Sequence, residues 1–140
     1  MNPYTIFADI IAGHAPSSKV YEDQDVVAFL DIRPMTAGHL LVVPRIAARS
    51  LAELDPAIGG KLFQVGQRLA AALRSSEVQC DGVNFFLADG VTAGQEVFHV
   101  HLHVIPRTPG DGFGLRGCPT SPQRADLDYL AASIRGALGD

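Results

Sequence analysis

Residues 99–107 read His99-Val100-His101-Leu102-His103-Val104-Ile105-Pro106-Arg107. Imidazoles alternate with aliphatic side chains, and a period of two belongs to a β-strand with one polar and one buried face. The run predicts a strand with Val100, Leu102 and Val104 turned to a core and His99, His101 and His103 forming one imidazole ladder. Same-face neighbours on a strand lie about 6.5–7 Å apart, close enough to serve one small substrate. The chain has five histidines, and three stand here. Whatever the protein does, this stretch is where the sequence concentrates its chemistry.

The flanking segments supply a sheet for that strand. Ile6, Phe7, Ile10 and Ile11 recur at helical spacing and are stopped by Gly13 and Pro16. Lys19–Glu22 and Val26–Leu30 flank Asp23-Gln24-Asp25 and predict a β-hairpin. His39–Pro44 is an almost continuous apolar run, as a central strand requires. Asp55-Pro56 is a helix start, with a capping side chain followed by proline at the first helical position. Ile58, Leu62, Val65, Leu69, Ala72 and Leu73 carry that helix to about Ser75. Gly59, Gly60 and Gly66 weaken it intrinsically, and Gly66 also allows close approach of another element, a second subunit included. Gly82–Ala88 predicts a further strand, and residues 108–123 an irregular crossover. Leu127, Leu130, Ala131, Ile134 and Leu138 predict a last helix over 125–138. The order α-β-β-β-α-β-β-α, with one long crossover helix, predicts an α+β fold on a mainly antiparallel five-stranded sheet in a single domain over 1–140.

Composition narrows the function. Charged residues make up 19% of the chain and the formal net charge is −4, which argues against a surface for polymeric nucleic acid. A free nucleotide stays possible, since a small site needs only local donors. No segment approaches a membrane span, the N-terminus lacks a basic leader, and Cys80 and Cys118 form no CxxC pair. The expectation is a cytoplasmic protein with free thiols.

Three accounts of the histidine run compete. Polar residues on a wet strand face would ordinarily be threonine or tyrosine. A metal site is conceivable, because HxH supplies two imidazoles, but successive same-face positions diverge from a single ion. Nucleophilic catalysis on phosphorus uses the most features: an imidazole nitrogen is nucleophilic at neutral pH, and a neighbouring imidazole can donate to a phosphoryl oxygen or leaving group. The loop Gly90-Val91-Thr92-Ala93-Gly94-Gln95 would add backbone N–H groups and the Gln95 amide.

These residues resemble the HxHxHxx signature of the histidine triad family. Further landmarks fall in the family's order: Ile6-Phe7, Val20-Tyr21-Glu22-Asp23, Asp31-Ile32-Arg33-Pro34, Gly38-His39 with Leu41-Val42-Val43-Pro44, and Gly94-Gln95. The resemblance covers about residues 4–107, leaving 108–140 as a less characteristic loop and helix. It implies a HIT-like fold and a homodimeric nucleotide hydrolase or transferase acting at the α-phosphate. The substrate would be a purine nucleotide conjugate, a nucleoside phosphoramidate or a dinucleoside polyphosphate.

By that resemblance His101 is the nucleophile, His103 contacts the α-phosphate and assists the leaving group, and His99 and His39 form a relay supporting His101. Asp31 would hold the ribose hydroxyls. Ile6, Phe7, Ile10, Phe29 and Ile32 would form the base pocket, and Gly94 and Gln95 would meet the phosphate. His14 is read as ordinary surface. The chain departs from the family at Ala88, where many relatives carry an amide that contacts phosphate, with Asn84 two steps away on the same face. It departs again at Glu96, where some branches have serine. Thr5, Ala8 and Ala47 occupy the places of a structural zinc site in some bacterial relatives, so neither metal nor cofactor is expected. The alternatives are a non-catalytic nucleotide-binding module and a His-ligated metalloprotein.

Overall fold

The computed structural model describes residues 1–139. Five strands, β1 (Lys19–Glu22), β2 (Val26–Leu30), β3 (Leu40–Pro44), β4 (Gly82–Phe86) and β5 (Leu102–Arg107), form one sheet in the order β1-β2-β3-β5-β4. Every pairing is antiparallel. Three helices complete it: α1 (Ile6–Ala12), α2 (Pro56–Ser75) and α3 (Arg124–Leu138). The fold is α+β, as the element order predicts.

The sheet is buried on both faces over its centre, which explains why β2 and β3 read as continuous apolar runs rather than alternating ones. One face belongs to α2. Leu62, Val65, Leu69 and Leu73 pack there on Val26, Ala28, Leu40, Val42, Leu102 and Val104. The helix begins where the sequence places it, with the Asp55 carboxylate accepting Ala57 N–H at 2.9 Å. Gly66 is where α2 comes closest to the sheet: a Cβ there would lie 3.1 Å from the Phe85 ring and 3.2 Å from Leu102. The close approach that this glycine permits is thus made within the chain.

The other face is shared. Helix α1 lays Phe7 and Ile10 over Val27, Phe29, Leu41 and Val43, and Gly13 ends it in the left-handed conformation (φ +82°). This covers β2 and β3 only. Over β5 and β4 the same face stays open, and His103 stands there, opposite Leu41 on one side and Phe86 on the other. The half-covered face is what creates a cavity beside the histidines.

The β1–β2 turn is tied to α2 through Asp23, whose carboxylate accepts Tyr21 Oη–H at 2.6 Å and pairs with Lys61 Nζ at 3.1 Å. The Tyr21 hydroxyl above all holds that carboxyl well below the usual range. Helix α3 forms as its spacing predicts, yet none of its residues is buried; Leu130, Ile134 and Leu138 face outward at 56%, 63% and 79% exposure. No helix among the described residues is long and apolar enough to cross a membrane.

Candidate active site

The alternation predicts a strand from His99, but β5 starts at Leu102. Extending the β3–β5 register past Val42–Leu102 would bring Val100 opposite Pro44, which has no N–H to donate. Val100 N–H goes instead to the Ala48 carbonyl at 2.8 Å. Val100 still reaches the α2-side core with Leu102 and Val104. The three imidazoles, however, do not form an even ladder. His99 is sealed in at 1% exposure with its ring edge-on to Phe7, whereas His101 and His103 line the cavity with ring centroids 4.8 Å apart.

Hydrogen-bond partners assign the tautomers. His39 Nδ1 accepts the Met35 backbone N–H at 3.0 Å, so its proton sits on Nε2. That nitrogen lies 2.8 Å from His103 Nδ1 and donates to it, which leaves the His103 proton on Nε2. His101 has the opposite tautomer: Nδ1 donates to the His99 carbonyl at 2.8 Å, and Nε2 is bare. His99 Nε2 donates to the Pro44 carbonyl at 2.8 Å, while its Nδ1 is buried with no partner. A second proton on His99 would be an unsatisfied buried donor, so this ring is held neutral.

This corrects the expected relay. His39 bonds His103 rather than His101, and His99 serves His101 through its main-chain carbonyl rather than its ring. A bare nitrogen and an N–H donor therefore stand side by side on one wall.

The remaining sequence-selected residues fall into two groups. Asp31, Ile6, Phe7, Ile10, Phe29, Ile32 and Gly94 share one cavity of about 630 Å³ with His39, His101 and His103. Asp31 accepts Arg33 N–H at 2.8 Å through one carboxylate oxygen, and the other lies 3.7 Å from His39 Nε2. Gln95 is not available to a phosphate. It is buried, its amide donates to the Arg49 and Val97 carbonyls, and its oxygen accepts Gly90 N–H. It braces the loop that presents Gly94.

Ala88 is buried and brings no amide, and the Asn84 oxygen is taken by Arg107 Nη1 at 2.7 Å. Glu96 pairs at the rim with Arg33 at 3.6 Å. The spacing rules also miss three contributors: the Met35 N–H, the Phe86 ring edge-on to His103, and the segment Phe113–Arg116 along the far wall.

Donor atoms of Asp31, His39 and His103 lie within 4.8 Å of one another, but the two nitrogens already share a hydrogen, and a cation would have to displace it. Thr5, Ala8 and Ala47 offer neither imidazole nor thiolate.

Burial lowers the pKa of all four histidines. For His103 it combines with the neighbouring His101 and His39 to reach about 3. The unfolded chain titrates these groups near 6.5, so below that pH it binds protons that the folded chain refuses, and stability falls with falling pH. Between pH 6.5 and 4.5 the melting temperature should drop, and His103→Asn should flatten that slope. A slope unchanged by His103→Asn would show that other groups cause it.

The geometry has a clear counterpart among known proteins. Residues 12–110 match the HIT domain model. The Protein hit of Bacillus subtilis is 46% identical over 136 residues, 95% of this chain and 93% of that one. The Adenylylsulfatase HINT3 of Arabidopsis thaliana is 32% identical over 106 residues, 76% of this chain and 53% of that one. The crystal structure of a histidine triad nucleotide-binding protein from Candida albicans superposes with a TM-score of 0.85 at 28% identity, covering 95% and 96% of the two chains. A matching domain model, a relative aligned along nearly its whole length, and the paired histidines on the open half of the sheet make this chain a member of the HIT (histidine triad) family.

Proposed function

We propose that the protein hydrolyses purine nucleotide conjugates at the α-phosphate through a nucleotidyl intermediate on His101. The observation that carries this reading is the pair of opposite tautomers: a bare Nε2 on His101 beside an Nε2–H on His103, in the cavity that also holds Asp31.

His101 Nε2 attacks phosphorus, the phosphorus–nucleophile bond forms, and the bond to the leaving group breaks with its electron pair. The leaving atom takes the His103 Nε2 proton, which solvent replaces. The adduct makes His101 cationic, and its Nδ1–H already faces the His99 carbonyl, a fixed dipole where positive charge develops. Water then attacks phosphorus and the electron pair returns to Nε2. One water proton passes to solvent, which balances the proton that solvent returned to His103 after the first step. Asp31 would accept the ribose hydroxyls while the α1-side apolar wall takes the base.

A homodimer is part of the proposal. Strand β4 is a sheet edge with unpaired backbone groups, and Phe63 on α2 is 54% exposed beside it, against Phe85. The outward apolar face of α3 is a second surface for the partner. A cytoplasmic location suits this reading.

Adenosine 5′-phosphoramidate incubated with the protein and a chelator should release AMP. AMP binding without release, from this substrate and from a dinucleoside polyphosphate alike, would favour a binding-only module, for which the missing amide at Ala88 is the motivating feature.

A further inference from the structure

The geometry points to residues 113–116 as the leaving-group wall of the nucleotide site, clamped in place by Arg107–Asp111 and selecting conjugates whose leaving group is aromatic with an anionic end; the inference rests on the hydrolase reading above.

The two halves of the cavity are unlike. Helix α1 walls it over β2 and β3. Across His103, over β5 and β4, the wall is Phe86 and the segment Phe113–Arg116. A nucleotide with its base under α1 and its α-phosphate at His101 directs its leaving group toward that second wall.

The segment has no helix or strand of its own, and its position depends on one clamp. Arg107, the last residue of β5, grips the Asp111 carboxylate with two parallel bonds of 2.7 and 2.8 Å. The same carboxylate accepts the Thr108 and Phe113 N–H groups, each at 3.1 Å. Arg107 also donates to Asn84 on β4 and to the Phe113 carbonyl, and its guanidinium sits 4.9 Å over the Phe113 ring. Among the described residues, the hydrogen bonds that hold 109–122 all run to Arg107, Thr108 or Asp111. An arginine with its donors this fully committed fixes a loop as a turn of helix would.

The chemistry of the wall follows from its members. Phe86 is 39% exposed and Leu115 88% exposed, so an aromatic or aliphatic group gains by covering them. Arg33 and Glu96 pair at the rim, and Arg116, which also lines the cavity, belongs to no ion pair among the described residues. A carboxylate at the far end of the leaving group would meet that guanidinium.

Three substrates that share one nucleotide test this: adenosine 5′-phosphoramidate with an unsubstituted amine, with benzylamine and with 4-carboxybenzylamine. The wild type should show kcat/KM rising in that order. Arg116→Ala, an exposed change, should remove the carboxylate step, about fivefold, so that the two benzylamine conjugates react equally fast. Asp111→Asn should flatten both steps, while the unsubstituted amide stays within about twofold of wild type. Equal wild-type rates on all three, or a ranking that survives both substitutions, would overturn the inference and leave the hydrolase reading standing. Asp111→Asn slowing all three substrates alike would make the clamp a folding element and overturn it too. No AMP from any of the three would remove the hydrolase reading and the inference together.

Discussion

Replacing His101 with alanine is expected to lower AMP release from a nucleoside phosphoramidate by about 10⁴–10⁶-fold, the loss that follows removal of a nucleophile, while AMP affinity stays within a few-fold. The separation follows from the division of the cavity. Asp31 and the α1-side wall lie on other elements and keep their positions, whereas the bare nitrogen on the cavity wall belongs to His101. The alanine also removes the donor to the His99 carbonyl and leaves space beside Phe7, whose ring is 5.0 Å from His101. A drop in stability of about 1–2 kcal/mol is therefore expected alongside. His101→Asn keeps a short donor in that place without a nucleophilic nitrogen, and it should be as inactive as alanine with a smaller stability loss. Acid-quenched wild-type enzyme, mixed with substrate, should carry an adenylyl adduct by mass, and neither variant should. Turnover or an adduct in either variant would mean that another residue attacks.

The parts of this architecture that the sequence makes legible are those encoded locally. Asp55-Pro56 opens α2, and Leu62, Val65, Leu69 and Leu73 do become its buried stripe. The β1–β2 hairpin has the bounds its turn residues suggest. Side-chain alternation places Val100, Leu102 and Val104 correctly, but alternation encodes which way a side chain points, not whether its backbone is paired. The backbone leaves the sheet at His101 because of Pro44, more than fifty residues away in sequence. Gln95 looks like an anion donor because it ends a glycine-rich loop, and the carbonyl that consumes its amide belongs to Arg49. The Met35 N–H that sets the tautomers of His39 and His103 has no signature, since every residue but proline carries one. The Arg107–Asp111 clamp does have a local trace, an acid four residues after an arginine and between Gly110 and Gly112, but only its contacts with Asn84 and Phe113 give it meaning.

The loop 31–39 carries both Asp31 and His39, and its most sensitive residue is Gly38, which touches no substrate. The loop is closed by Asp31 N–H on the His39 carbonyl at 2.9 Å and by Thr36 Oγ1 on the Pro106 carbonyl at 2.7 Å. Gly38 turns the chain with φ +95°, and a Cβ there would lie 2.7 Å from Val78 Cγ1 and 3.1 Å from Cγ2. Gly38→Ala thus meets two separate costs: about 1–2 kcal/mol for the left-handed backbone and about 1–3 kcal/mol for overpacking. Together these correspond to a fall in melting temperature of roughly 6–20 °C for a chain of this size. Only the second cost depends on Val78. In a Val78→Ala background the methyl overlap is gone, so Gly38→Ala should cost only the backbone share, and the double-mutant cycle should give a favourable coupling of about 1–3 kcal/mol. Catalysis adds an independent reading. Shifting the loop moves His39 off His103 and frees the His103 tautomer, so kcat should fall in the single variant and recover in part with Val78→Ala. Additive costs would leave backbone conformation as the sole reason for glycine here, and a single variant melting within a few degrees of wild type would refute both.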